Sequence, residues 1–445
     1  MTQKPKVIVL DDDPTGSQTV HSCLLLFKWD VPTLVMGLED ASPIFFVLTN
    51  TRSLTPQAAA TVTAEVCENL KRALIQTNTT NYLLVSRSDS TLRGHYPIET
   101  DVIAQHLGPF DAHFLTPAFF EGGRITVDST HYIESKDAEG SRHRIPTHET
   151  EFAKDSVFGY STSYLPQYVE EKTQGKIVEN DVKRFTLEKI RTGTTNQLMA
   201  LEGNHCVAVD GEQQSDLDRF ASDVLQTAAQ GKKFLFRSAA GLLTSLAALP
   251  PQPVPPTQMN KLTRGQTGVV VVGSHVKKTT QQLDKLLQLS SVGGIEIDVA
   301  QVRDFPVEKH DEVCDCVLQQ VQHLYAEGKT PVIFTSRQEL TFSDKAARLA
   351  FGEAVSALLV KIVQALPAEL GFLISKGGIT TNDVLSKGLK LTSARLLGQV
   401  ILGVSVVTTS PEHGQFPGLP VVLFPGNVGD ESALVLAYER LHHLL

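Results

Sequence analysis

Short runs of β-branched and aliphatic residues, each breaking off into a polar or glycine-rich loop and followed by an amphipathic stretch, recur almost from end to end of the chain. The first, residues 7–10, runs straight into Asp11-Asp12-Asp13. Strands that are apolar throughout must be covered on both faces, and strands alternating with helices achieve this in a parallel sheet. An α/β fold follows. Further strands are expected at 44–49, 82–86, 112–115, 206–209 and 233–236. A helix is expected at 56–76, where proline suits the first turn and apolar residues recur every three or four positions.

The rhythm breaks once. Residues 249–267 hold five prolines and few large apolar groups, which reads as an extended linker. Beyond it the alternation restarts, with strands expected at 268–272, near 295, at 332–335, 372–375, near 400–408 and at 420–424. Helices are expected from 279 and at 309–326, 343–365, 381–388 and 430–443. At roughly 100 to 200 residues per domain, 445 residues accommodate two such units. The expected organisation is a domain over 1–248, the linker over 249–267 and a second domain over 268–445. Each carries a mainly parallel sheet flanked by helices, with an active site in the cleft between them. The polar interval 134–205 is expected to be an irregular excursion over a cleft.

Charge and cysteine content narrow the function. Forty basic against forty-nine acidic side chains give a net charge of −9, so no global positive field gathers nucleic acid or anionic lipid. Five scattered cysteines suit a reducing compartment and form no disulfide framework. The apolar opening is four residues long, and the stretch 397–407 is interrupted by Gln399 and Ser405, short of the roughly 20 residues a span needs. The expected location is the cytoplasm.

The chemistry gathers where strands end, because parallel sheets bind ligands at the carboxyl ends of their strands. Asp11-Asp12-Asp13-Pro14-Thr15-Gly16 packs three acids there, with Asp13 or Thr15 also able to cap a helix start. Ser86-Arg87-Ser88-Asp89-Ser90-Thr91-Leu92-Arg93-Gly94 offers two guanidinium groups among hydroxyls, a fork suited to carboxylate or phosphate. Arg52 and Arg124 also follow strands. A small, hydroxylated, anionic substrate is the natural inference. In the second half, Gly273-Ser274, Ser375-Lys376-Gly377-Gly378-Ile379-Thr380-Thr381 and Pro425-Gly426-Asn427-Val428-Gly429-Asp430 each lie between a strand and a helix. Glycine lets backbone N–H groups approach an anion, and a helix start favours negative charge by about 0.3 to 2 kcal/mol. Three such loops on one sheet edge form a nucleotide-phosphate cradle. Gly328-Lys329-Thr330 is not a P-loop, since position 323 is His and a strand follows, and no G-x-G-x-x-G follows either first strand.

Together these stretches resemble the four-carbon acid sugar kinase family, whose members phosphorylate compounds such as threonate and erythronate with ATP. The similar segments are Asp12-Asp13-Pro14-Thr15-Gly16, Asp89-Ser90-Thr91-Leu92-Arg93-Gly94, Pro117-Ala118-Phe119 with Gly123-Arg124, Gly273-Ser274, Gly377-Gly378-Ile379-Thr380 and Gly426-Asn427-Val428-Gly429. The resemblance implies an N-terminal sugar-acid-binding domain and a C-terminal ATP-binding domain. It implies a sugar-acid site containing Asp12, Asp13, Asp89 and Arg93, beside which Arg52, Ser90, Gly94 and Arg124 are expected. It implies an ATP site containing Ser274, Gly377, Gly378, Ile379, Thr380 and Gly426, with Asn427 beside it. Asp13, or failing it Asp12, would accept the substrate's proton, and closure across the linker would join the half-sites. ATP and Mg²⁺ are the expected cofactors, with no protein ligand of the metal assigned. The expected partners are a sugar acid and ATP, with neither nucleic acid nor membrane, and a homodimer is compatible with them. The chain departs from the family where Ile379 replaces a common acidic residue, and in its triple aspartate and Gln18-Thr19-Val20-His21. Two alternatives stay open. Asp11-x-Asp13-x-Thr15 after an apolar strand also fits a haloacid-dehalogenase-type phosphatase, with Asp11 as nucleophile and Asp13 as acid/base. A non-catalytic binding protein for an anionic metabolite is the other.

Overall fold

The computed structural model describes residues 4–136, 142–263, 267–304, 310–337, 340 and 345–442. The chain divides into two units, Met1–Pro251 and Gln252–Leu445. In the first, eight described strands form an all-parallel sheet: β1 (Lys6–Asp11), β2 (Leu24–Leu26), β3 (Ile44–Leu48), β4 (Tyr82–Arg87), β5 (Ala112–Thr116), β9 (Lys183–Phe185), β10 (His205–Val209) and β11 (Phe234–Ser238), with three intervening strands outside it. Their order is β2-β3-β1-β4-β11-β5-β10-β9. The chain therefore leaves β1 toward one edge and β4 toward the other, so a crevice opens between their carboxyl ends.

Packing follows from the sequence period. In the helix Pro56–Gln76 the buried positions Ala59, Thr63, Val66, Cys67, Leu70, Ala73 and Leu74 form one stripe, and Thr55 caps its start by accepting the Ala58 N–H. That stripe packs with Ile8, Leu10, Phe45, Val47 and Leu84 of the sheet. Each fully buried Val, Leu, Ile or Phe among them contributes roughly 1.5–3 kcal/mol, and the alanines less.

The polar interval is more ordered than its composition suggests, and it begins earlier. An antiparallel sheet of β6 (Arg124–Val127), β7 (Thr130–Lys136) and β8 (Arg142–Pro146) leads to the helix Leu165–Lys172. Tyr160, Leu165, Tyr168 and Val169 bury themselves with Leu92, Leu115 and Cys206. A few well-spaced apolar groups thus anchor a segment that is polar on average.

The second unit has seven described strands: β12 (Val269–Val272), β13 (Val292–Ile297), β14 (Thr330–Thr335), β15 (Leu373–Lys376), β16 (Ser393–Ile401), β17 (Val404–Thr408) and β18 (Pro420–Phe424). Their order is β13-β14-β12-β15-β18-β17-β16, parallel as far as β18, with β17 antiparallel to both its neighbours. Again the chain leaves two adjacent strands, β12 and β15, toward opposite edges. All four valines of β12 are fully buried, as a strand covered on both faces requires.

Several local expectations shift. The proline stretch read as extended contains a 3-10 helix, Pro256–Leu262, whose Met259 is fully buried in the second unit's core. The helix expected at 381–388 starts at Gly378 and becomes a π-helix at Val384–Gly388, because Gly377, at φ +122°, turns the chain directly out of β15. The closing helix is Ala433–Glu439. The helices expected at 309–326 and 343–365 are described as His310–Ala326 and Lys345–Gln364, their first residues lying outside the described ones.

Candidate active site

In the first unit the three aspartates meet the ends of β3, β4 and β11. Asp11 closes β1, and its Oδ1 accepts from Arg87 Nη1 (3.2 Å) and from the Asp13 N–H (3.2 Å). Gly16 is required here, since a Cβ at that position would stand 2.1 Å from Asp11 Oδ2. Burial drives the Asp11 carboxyl up to about 7, with Arg87 pulling the other way and Asp12 and Asp13 adding to the rise.

Asp12 is saturated. Arg52 grips it with Nε on Oδ2 (3.1 Å) and Nη2 on Oδ1, and Ser88 Oγ donates to Oδ2 at 2.8 Å. Asp13 keeps 22% of its side chain exposed, against 1% for Asp11 and for Asp12. Its Oδ1 accepts from the Thr15 N–H (2.8 Å) and hydroxyl (2.6 Å), and Oδ2 from Arg52 Nη1 (3.0 Å). Burial raises the Asp13 carboxyl, but Arg52, Arg87 and the Thr15 hydrogen bonds outweigh it and hold it below the usual carboxylate range. Burial likewise opposes the Arg52 charge, while Asp12, Asp13 and Asp89 more than restore it.

The loop after β4 folds back on the same place. Asp89 Oδ2 binds Arg93 Nε at 2.7 Å and the Thr91 hydroxyl, and Arg93 Nη1 lies 3.7 Å from Asp155. Burial works against the Asp89 charge, but Arg52 and Arg93 hold its carboxyl far below the usual range. Ser90 contributes its carbonyl, which the His131 ring binds. Gly94, at φ +129°, is a close-approach position, since a Cβ would lie 2.4 Å from Ser88 Oγ and 2.6 Å from Arg237 Nη2. Arg124 bonds the Gly122 carbonyl, two residues back, through Nη1, and its buried Nε has no hydrogen-bond partner among the described residues. Arg87 Nε, Thr116 Oγ1 and Asp11 Oδ2 are also buried without a partner among the described residues. Such atoms are costly to leave unbonded, which concentrates unsatisfied polarity at this edge.

Two central residues escape a reading of the sequence. Arg237, on β11, donates to Ser86 Oγ (2.7 Å), Ser88 Oγ (2.8 Å) and Glu99 Oε2 (2.5 Å). The signal for Arg237 is a charged residue closing an apolar strand, but the strand expected at 233–236 stops one residue short of it. Nothing local marks Glu99, which pairs across 138 positions. The departing segment Gln18-Thr19-Val20-His21 is anchored within the unit, with Thr19 Oγ1 on Ala240 O and His21 Nε2 on Pro250 O.

In the second unit the glycine loops after β12, β15 and β18 come together. The Gly273 and Ser274 N–H groups donate to Lys376 O, and the Gly377 N–H to Phe424 O. Thr279 Oγ1 bridges Ser274 Oγ (3.2 Å) and Gly426 O (3.1 Å). A Cβ at Gly273 would stand 2.1 Å from Thr380 Oγ1, and one at Gly377 would stand 2.9 Å from Ser274. Beside the first two loops lies a cavity of about 380 Å³. Gly273, Ser274 and residues 377–380 line one side, while Val276, Val299, Phe351 and Leu359 supply an apolar wall. Ile379 stands at this cavity with 73% of its surface exposed. Gly426 borders Ser274 and Asn427 is exposed, and neither belongs to the cavity wall.

Cations to which the sequence alone assigns no role also stand here. Arg337 Nη1 binds Ser274 O at 2.7 Å. Lys376 is fully buried, holds Pro425 O and Gly426 O (3.1 Å) and lies over the Phe424 ring; burial, with Lys278 nearby, brings its ammonium down to about 7. An enclosure with glycine backbone at one side and apolar walls at the other suits a ligand with a phosphate end and a flat apolar end.

A family model for a sugar-binding N-terminal domain matches residues 7–246, and one for a nucleotide-binding C-terminal domain matches residues 269–434. The chain is 23% identical to the D-erythronate kinase of Heliobacterium modesticaldum, over 98% of this chain and 97% of that one. It is 22% identical to the D-threonate kinase of Bordetella bronchiseptica, over 98% of each. A solved structure from Salmonella typhimurium LT2 shares the fold, with a TM-score of 0.69 at 20% identity over 97% of this chain and 98% of that one. The resemblance read from the motifs is borne out.

Proposed function

The chain belongs to the four-carbon acid sugar kinase family, and from that membership we propose that it phosphorylates one hydroxyl of an erythronate- or threonate-like acid with ATP. The two kinases it is similar to are named for those acids, at 23 and 22% identity. In this reading the acceptor hydroxyl gives its proton to Asp13 as its oxygen bonds the γ-phosphorus and the bond to the β–γ bridging oxygen breaks, releasing ADP. Phosphoryl transfer depends on positioning and charge neutralisation more than on a strong base, so an Asp13 held in its ionised form suits the task.

The observation that carries the reading is the exposure of Asp13 beside two fully buried aspartates, fixed by Thr15 and Arg52 at the crevice between β1 and β4. Arg93 and the half-buried Arg124 are the groups proposed for the substrate carboxylate, with Asp89 and Arg52 maintaining the field around them. For the nucleotide, phosphates are assigned to the Ser274 hydroxyl and the backbone of Gly378 to Thr380, since the Ser274 and Gly377 N–H groups are taken by Lys376 O and Phe424 O, and the base to the apolar wall with Val276 and Phe351. The glycine cradle fits that assignment, because a side chain at Gly377 would fill it. Asp12 and Asp13 are both engaged by Arg52, so this pair does not suit a cation, and Mg²⁺ is assigned to the nucleotide's own phosphates. Asp11 as a phosphatase nucleophile finds no support, being 1% exposed with Gly16 packed against its carboxylate.

The test is a coupled ADP-release screen of the purified protein against four-carbon sugar acids. ADP release that requires both ATP and one of the acids is expected. A response equally flat across all acids would overturn the reading.

A further inference from the structure

We propose that residues 129–136 and 147–169 form a positioning frame for the acceptor site, in which His131, Tyr160 and Tyr168 hold three successive carbonyls of the Asp89–Gly94 loop. This rests on the reading above that the loop binds the sugar acid. His131 Nε2 donates to Ser90 O at 2.7 Å, the Tyr160 hydroxyl to Thr91 O at 2.8 Å and the Tyr168 hydroxyl to Leu92 O at 2.8 Å. The donors lie 41, 69 and 76 positions along the chain from their acceptors, yet they converge on one tripeptide.

The frame is built for fixed direction. His131 is fully buried, and burial takes its imidazole down to about 4, so the ring is neutral. A carbonyl can only accept, so the ring proton sits on Nε2 and Nδ1 accepts from the Thr126 hydroxyl (2.9 Å). Tyr160 and Tyr168 meet edge to face at 5.7 Å, and the Leu92 side chain is buried in the same cluster. Leu92 is held at φ +67°, a conformation that a leucine adopts only when its surroundings over-determine it. Fixing three consecutive peptide planes fixes where the flanking Asp89 and Arg93 project. Residues 147–169 also reach the other side of Arg93, with Phe152 under its guanidinium (5.0 Å to the ring centre) and Asp155 at 3.7 Å. The frame therefore fixes the backbone beside the proposed carboxylate binder and flanks a head group that Asp89 holds at 2.7 Å, while contributing none of the proposed reacting groups.

The test is steady-state kinetics on Tyr160→Phe/Tyr168→Phe, which removes two donors and keeps both rings. The KM for the sugar acid is expected to rise roughly tenfold or more, as two buried carbonyls lose their partners, while the KM for ATP stays within about twofold. If the double variant does not fold, the single variants carry the same readout at roughly threefold each. His131→Gln, which retains a donor, should restore most of the acid affinity that His131→Leu loses. Unchanged acid KM in all variants, or acid and ATP KM rising together, would overturn the frame. Wild-type protein showing no acid-dependent ADP release would instead overturn the reading of the site, and the frame's role with it.

Discussion

The crevice between β1 and β4 and the crevice between β12 and β15 arise from the same chain path, two adjacent parallel strands left toward opposite edges. They are furnished in opposite ways. At the first, aspartates and arginines are buried together, and both oxygens of Asp12 and Asp13 and one each of Asp11 and Asp89 are engaged by a guanidinium, a hydroxyl or an N–H. At the second, glycine backbone and an apolar wall border a cavity of about 380 Å³. Topology decides where a ligand can sit, and the residues at the strand ends decide which one. A prearranged charge network is costly to reorganise, so the first crevice suits the reacting hydroxyl, whereas close-approach glycine backbone and apolar walls suit a carrier that must enter and leave.

If that division holds, substitutions in the two units should separate cleanly in kinetics. The largest effect is expected from Asp13→Asn, which keeps the shape but cannot take a proton. Its kcat should fall by about 10² to 10⁴, with ATP affinity nearly unchanged. Retention of wild-type kcat by both this variant and Asp12→Asn would break the assignment. Next, Gly377→Ala places a Cβ 2.9 Å from Ser274 at φ +122°. Strain of about 1–3 kcal/mol should raise the KM for ATP by about tenfold or more and leave the acid's KM alone. Arg93→Ala should do the reverse, raising the acid's KM by about tenfold through loss of a charge-assisted contact. An Arg93 effect on ATP alone would move that residue to the nucleotide side.

Much of this contrast is readable in the chain. The aspartate triplet, Asp89-Ser90-Thr91-Leu92-Arg93-Gly94 and the glycine loops all stand directly after apolar runs, so strand ends can be located and their chemistry compared. The hidden part depends on distant partners. Arg237 and Glu99 form one of the tightest pairs at the first crevice, yet their spacing in sequence carries no period that would join them. Lys376 sits within a recognised loop, but only the fold reveals that its ammonium is buried against two carbonyls and the Phe424 ring. The frame around Tyr160 and Tyr168 is masked by a polar average, since a handful of apolar side chains suffices to anchor it. The proline stretch misleads for a related reason: proline excludes regular strand and helix interiors, but not a packed 3-10 turn.

The smallest effect concerns the pH response of stability. Asp11 keeps its proton in the folded chain to about pH 7, above its ordinary value of 3.8. The stability tied to that proton is fully present below the ordinary value and is lost as pH rises through about 7. Asn at this position is neutral throughout. The Tm of Asp11→Asn relative to wild type should therefore climb by a few degrees between about pH 5 and about pH 8. A difference that is constant with pH would show that Asp11 is ionised across that range.

The division of labour is tested most directly by calorimetric titration of ATP and of the active sugar acid into wild-type, Gly377→Ala and Arg93→Ala protein. Gly377→Ala is expected to lose binding heat for ATP and keep it for the acid, and Arg93→Ala to show the opposite pattern. Loss of acid binding in Gly377→Ala with ATP binding intact would contradict that division.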